Sequence, residues 1–189
     1  MAKYSPKTKD ELAELISDDS VNLGDIDTSA ITDMSCLFED SERTDFSGIE
    51  KWDTSSVEDM SYMFSGAKHF NSDIGGWNVS QVCDMCSMFA GAEKFNQNLS
   101  AWDTNSVHSI AGMFGGAIGL KNIDFIDEWE FAKLEDAENM AQNLCIVCQS
   151  CIGIGNKNMA MNQTLSKKRT LMNVINQNTN PKHAMSFKI

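Results

Sequence analysis

The chain has 189 residues, 42% of them hydrophobic, enough for one domain with a sizeable core. A net charge of −12 and a pI near 4.5 argue against nucleic acid and against an anionic membrane surface, since phosphates would be repelled. No apolar run approaches the roughly 20 residues that span a bilayer, and the opening MAKYSPKTKDELAEL lacks the apolar stretch of about 7–15 residues of a secretory signal.

Taken in chain order, residues 1–25 are predicted to form an N-terminal cap. The segment KTKDELAELISDDS reads as an amphipathic helix, with Leu12, Leu15 and Ile16 on one face and acids on the other. A repeat follows. Trp52, Trp77, Trp102 and Trp129 are spaced by 25, 25 and 27 residues. Five positions after each stand Val57, Val82, Val107 and Leu134; eight after, Met60, Met85, Ile110 and Ala137. Eleven after come Met63, Met88, Met113 and Met140, and twelve after, Phe64, Phe89, Phe114 and Ala141. An earlier copy starting at Ile26 keeps the register with Ile31, Met34, Leu37 and Phe38. The repeat region 26–144 therefore divides into units 26–51, 52–76, 77–101, 102–128 and a worn unit 129–144.

Within a unit, Val57, Met60, Met63 and Phe64 fall at i, i+3, i+6 and i+7, the pattern of a short helix with one buried face. Ser29, Ser55, Ser80 or Asn105 would cap its start, Asp33, Asp59 or Asp84 would sit in its first turn, and Gly66, Gly91 or Gly116 would close it. Ile74-x-x-Trp77-x-Val79 and Leu99-x-x-Trp102-x-Thr104 alternate as short strands do. One such unit cannot bury its apolar face alone, whereas stacked units can. The predicted fold class is thus α/β: a right-handed leucine-rich-repeat-like solenoid of about five 25-residue coils, each with a short parallel strand and a short helix, behind an N-terminal capping helix.

The phrases WDTSSVEDMSYMFSGAKHFN and WNVSQVCDMCSMFAGAEKFNQNLSAWDT resemble the 25–26-residue repeat of BspA-like leucine-rich-repeat bacterial surface proteins. The lead-in SPKTKDELAELI and VNLGDIDTSAITDMSCLF is similar to the segment that opens such arrays. The resemblance covers residues 4–120 and extends weakly to 144. It implies a leucine-rich-repeat-like solenoid that adheres to, or binds, a host protein, a matrix protein or a neighbouring cell. It places the protein at the cell surface or outside the cell; without a visible signal peptide, the cytoplasm is the alternative.

Composition breaks sharply near residue 150. Residues 1–151 hold all 27 acidic residues, and 152–189 hold six Lys and Arg and no acid. The segment 145–189 reads as an atypical basic tail: one that folds back on the acidic repeats, one that is disordered, or one translated from a shifted frame.

Several side-chain sets have spacings that bear on chemistry. Cys83-x-x-Cys86 and Cys145-x-x-Cys148-x-x-Cys151 have metal-ligand spacing but no complete ligand set, and free thiols would favour a reducing compartment. Asp27, Asp53, Asn78 and Asp103 recur beside the Trp positions and would form a column, either a calcium site or a set of Asx turns. Asn71 and Asn96 follow Phe70 and Phe95 and suggest an asparagine ladder with a structural role. His69, His108 and His183 occupy non-equivalent places, and neither a nucleophile elbow nor a phosphate loop is present. No catalytic, cofactor-binding or metal-binding residue is therefore assigned, and no cofactor is expected. The variable outward positions Glu58, Tyr62, Lys68, His69, Cys83, Ser87, Glu93, Lys94, His108 and Ile118 are the expected contact set. The predicted function is a non-enzymatic, monomeric protein-binding repeat module of the surface or adhesion type. The alternative is an intracellular repeat scaffold, or a truncated, decaying copy of a surface protein.

Overall fold

The computed structural model describes residues 2–121 and 124–130. The 25-residue units stack upon one another. Backbone N–H groups of one unit donate to carbonyls of the next, and the units touch through the isolated parallel bridges Asp33–Asp59, Asp59–Asp84 and Asp84–Ser109. The α/β expectation is overturned. Among the described residues there is no strand and no sheet, and the one α-helix is α1, Lys9–Ile16. Three 3-10 turns, Leu23–Asp25, Ile49–Lys51 and Asp124–Glu128, complete the regular structure.

The reason lies in how each unit spends its N–H groups. Met60, Tyr62, Phe64 and Gly66 donate to Asp84, Cys86, Met88 and Ala90 of the following coil, at 2.9, 2.8, 2.9 and 2.6 Å. Between them, Met63, Ser65 and Ala67 close back on Met60, Tyr62 and Phe64 at 3.2, 3.0 and 3.1 Å. A helix would send every N–H four residues back; here alternate groups leave the coil and the others bond three back. Met34, Cys36, Phe38 and Asp40 repeat the outward pattern one coil earlier, and Met85, Ser87, Phe89 and Gly91 one coil later.

Two of these three turns, Met60–Met63 and Phe64–Ala67, have left-handed backbone at their third position. Cys36, Tyr62, Ser87 and Gly112 take φ of 58°, 57°, 53° and 64°, and Asp40, Gly66, Gly91 and Gly116 take 52°, 69°, 70° and 72°. The glycines expected to end helices thus serve turns. At Gly66 a Cβ would also lie 2.0 Å from Asp40 Oδ1. The expected strands fare likewise. Trp77 N bonds Ile74 O at 3.1 Å and Trp102 N bonds Leu99 O at 3.1 Å, so those segments are tight turns. The expected cap residues have no helix to cap; Ser29, Ser55, Ser80 and Asn105 donate their N–H to Asp27, Asp53, Asn78 and Asp103.

The apolar residues nevertheless face inward. A chain of three-residue turns returns to the same side every third residue, and Val57, Met60 and Met63, then Phe64, Ala67 and Phe70, are fully buried on that period. Phe38, Phe64, Phe89 and Phe114 stack in a column, with ring centroids 5.5, 5.8 and 5.7 Å apart and planes within 6° of parallel. Trp52 stacks on Trp77 at 6.4 Å, and Trp102 on Trp129 at 6.1 Å. Each indole N–H is spent across coils. Trp52, Trp77, Trp102 and Trp129 donate to Leu23, Ile49, Ile74 and Leu99 carbonyls at 2.9, 3.1, 3.1 and 2.8 Å. The buried hydroxyls of Thr28, Thr54 and Thr104 do the same in the other direction, to Asp53, Asn78 and Glu130 carbonyls.

The N-terminal helix covers the first coil, with Leu12 and Ile16 buried and Leu15 half-buried, as its pattern suggested. Thr8 caps its start by accepting from Glu11 N at 3.2 Å. Its last turn holds no basic residue, and Arg43 fills that role from the first coil. The Arg43 side chain, 5% exposed, donates to Ile16 O at 3.1 Å, Val21 O at 2.5 Å and Asp45 O at 2.7 Å, and lies 3.5 Å from Asp19 Oδ1. Beyond Trp129 and Glu130, the fifth unit and the whole tail 145–189 lie outside the described residues.

Three substitutions test this account. Trp77→Ala removes a stacked ring and should cost about 3–5 kcal/mol in urea unfolding. Trp77→Phe keeps a ring but strands Ile49 O and should cost about 1–3 kcal/mol; no loss in this variant would show that the indole N–H contributes nothing, and a loss equal to that of Trp77→Ala would show that the stacked ring contributes nothing. Arg43→Lys keeps the charge and loses the fork, so a loss of about 2–3 kcal/mol is expected by the same measurement. A change below about 0.5 kcal/mol, the range of an ordinary surface substitution, would show that Arg43 does not hold the cap.

Candidate binding surface

Stacking turns sequence period into spatial columns. Glu58, Cys83 and His108 lie one above another, since Cys83 N bonds Glu58 O at 2.7 Å and His108 N bonds Cys83 O at 2.8 Å. Tyr62 and Ser87 form a second column at the left-handed positions. Lys68, Glu93 and Ile118 form a third, beside a fourth of His69 and Lys94, where Lys94 Nζ meets His69 Nδ1 at 3.1 Å. All ten expected contact residues are exposed or half-buried; Tyr62 at 40% and Ile118 at 56% are large apolar side chains open to solvent. Neighbours in a column are about 5 Å apart, the spacing of chains joined by backbone hydrogen bonds. The surface combines charge of both signs, an aromatic ring and an aliphatic side chain, with no catalytic arrangement among them.

Two further columns, one of Asp27, Asp53, Asn78 and Asp103 and one of Asp33, Asp59 and Asp84, have their side chains engaged locally. Asp53 Oδ1 accepts from Ser55 N at 3.0 Å and Ser55 Oγ at 2.6 Å. Asn78 and Asp103 hold Ser80 and Asn105 in the same manner. Asp33, Asp59 and Asp84 accept from the N–H of Ser35, Ser61 and Cys86 at 2.8, 2.8 and 2.7 Å, and Lys9 Nζ pairs with Asp33 at 3.1 Å. Of the two readings of the Asp27, Asp53, Asn78 and Asp103 column, these are Asx turns. Among the described residues no group of three or more His, Cys, Asp or Glu is placed to hold a metal ion.

The Ser55 side chain, then its N–H, holds the Asp53 carboxyl below its ordinary pKa, and Ser29 does so for Asp27. A depressed carboxylate contributes stability above its unfolded pKa and loses it as pH falls through the folded one.

The cysteine pair does not lie in a helix. Cys83 and Cys86 are half-buried free thiols in a turn segment; Cys83 Sγ is 3.5 Å from Gln81 O, and Cys86 Sγ is 4.0 Å from Tyr62 Oη. That thiol raises the Tyr62 pKa. Burial, then Glu39, raises that of Cys36. The triplet from Cys145 lies outside the described residues.

The asparagines form a ladder, but between coils and not within one turn. Asn71 Oδ1 accepts from Asn96 N at 2.9 Å, and Asn96 Oδ1 accepts from Lys121 N at 2.8 Å. Beside this ladder lies a depression of about 370 Å3 whose walls include Gln97, Asn98, Ser100, Phe125 and Glu128. Sequence reading did not find it, because the return turn of one coil and the connector after the next meet only in the folded chain. Arg43 was missed too; the one hint was a helix end without a basic residue.

Ser55→Ala should raise the Asp53 pKa towards its ordinary value, read by carboxyl NMR titration, and should start the acid loss of stability at a higher pH. An unmoved pKa would mean that the bond from Ser55 Oγ to Asp53 is not formed in solution.

Among the described residues no helix is long and apolar enough to cross a membrane. No curated protein and no solved structure matches the chain. A match is found with the family described as "Mycoplasma protein of unknown function, DUF285", and it spans residues 32–152, well over half of the chain and all of its well-formed coils after the first residues of unit one. The chain therefore belongs to the DUF285 family.

Proposed function

We propose that the chain is a non-enzymatic protein-binding repeat module, of the BspA-like surface or adhesion type, that meets a host protein, a matrix protein or a neighbouring cell through its outer columns. One observation supports this most. Equivalent positions share one backbone geometry and one packed core, yet outside they carry unlike side chains: Glu58, Cys83 and His108 in one column, Lys68, Glu93 and Ile118 in another. A rigid scaffold presenting varied side chains at fixed spacing suits recognition more than chemistry. The open Tyr62 and Ile118 are the kind of apolar anchors that centre an interface.

A second reading, an intracellular scaffold, draws on Cys36, Cys83 and Cys86, which are all free thiols and suit a reducing compartment. Treating intact source cells with an impermeant protease separates the two: repeat peptides released without lysis favour the surface reading.

The binding test uses the full chain on a surface-resonance panel of host-cell and matrix proteins. Changing Tyr62 and Lys94 together to Ala should leave the circular dichroism and unfolding midpoint intact and weaken a bound partner about tenfold or more. Equal binding by both proteins, or none to any panel member, would sink the reading.

A further inference from the structure

The depression beside the asparagine ladder is lined by none of the outer-column residues, and its polar groups have fixed directions. Asn96 spends its amide oxygen on Lys121 N, and Asn98 spends its own on Ser100 N at 3.1 Å. Both side chains therefore keep their amide N–H groups for another partner. Gln97 is set the other way: its Nε2 donates to Asn71 O and Asn71 Oδ1, each at 2.8 Å, which leaves its oxygen as an acceptor. Glu128 adds a carboxylate acceptor and Ser100 a hydroxyl that serves both ways. Phe125 supplies an apolar base, 5% exposed and held between Phe114 at 6.0 Å and Trp129 at 5.2 Å.

We propose that this depression binds a neutral sugar residue. Its volume falls in the lower part of the range of small-molecule sites. The complement of directed amide donors, amide and carboxylate acceptors and a small apolar floor matches a pyranose, whose hydroxyls both donate and accept and whose ring carries a C–H face. Lys121 and Glu128 both line the depression, so its wall carries one charge of each sign and favours neither an anion nor a cation, and the net charge of −12 further disfavours an anion. A cation would need the carboxylate alone and would make no use of the two oriented donors. The site is independent of the outer columns, so the failure of one reading leaves the other standing.

The coil before shows which substitution the fold accepts. Asp73 occupies the place of Asn98 one coil earlier, and its Oδ1 accepts from Gly75 N at 3.1 Å. Asn98→Asp should thus keep the local turn while replacing the donor by a second acceptor.

The experiment is saturation-transfer and amide NMR on the full chain, with glucose, galactose, mannose, their N-acetylated amino-sugar forms and short oligosaccharides of each as probes, and spermidine and inorganic phosphate as charged controls. At least one sugar should shift the Asn96 and Asn98 side-chain amides saturably and change Trp129 fluorescence. Asn98→Asp and Glu128→Gln, each with an unchanged unfolding midpoint, should weaken that sugar about tenfold or more. The proposal is overturned if no sugar gives a saturable shift, if Asn98→Asp binds the sugar as the parent does, or if spermidine or phosphate occupies the site in preference.

Discussion

Alternate backbone N–H groups reach across to the next coil, and this division of hydrogen bonds governs the rest of the molecule. Once Met60, Tyr62, Phe64 and Gly66 donate outward, the groups between them can close only short turns. Those turns impose left-handed backbone twice per unit. Cys36, Asp40, Tyr62 and Ser87 adopt it without being glycine, at about 1–2 kcal/mol each. The ladder between coils offsets that strain, because each outward bond satisfies a donor of one coil and a carbonyl of the next. No unit could hold this shape alone, since half of its directed bonds belong to its neighbour.

The core follows from the same register. Coils held a fixed distance apart bring like residues face to face, so Phe stacks on Phe and Trp on Trp. The indole N–H and the threonine hydroxyls bond carbonyls of adjacent coils, which fixes the register laterally as well as vertically. Stability then adds up mainly from contacts between nearest neighbours. An end coil lacks one neighbour, and at the N-terminal end α1 replaces it. Arg43 ties the helix to the stack through the carbonyl of Ile16, the helix's last residue, where a cation is favoured, and through carbonyls of the segment that follows.

This division of labour leaves the outside free. Acidic side chains near the turns help to fold them, as Asp53 and Asp59 do. The columns of Glu58, Tyr62 and Lys68 carry little structural duty and can vary without cost to the core. The depression by Asn98 differs in kind, because its amides are partly committed to the fold and thereby oriented. The two proposed surfaces can coexist on one stack for that reason.

Much was legible in the sequence. The positions of Trp52, Trp77, Trp102 and Trp129 gave the period, and the residues between them gave the buried and exposed sets, because burial repeats wherever the backbone repeats. The amphipathic pattern around Leu12 and Ile16 gave the capping helix. Local conformation was not legible. Over two turns, apolar residues at i, i+3, i+6 and i+7 fit a helix of period 3.6 and a chain of three-residue turns equally well. Only the neighbouring coil, by accepting every second N–H, decides between them. The same holds for Arg43 and for the depression: each joins residues far apart in the chain, and their meeting is a property of the stack and not of any one unit.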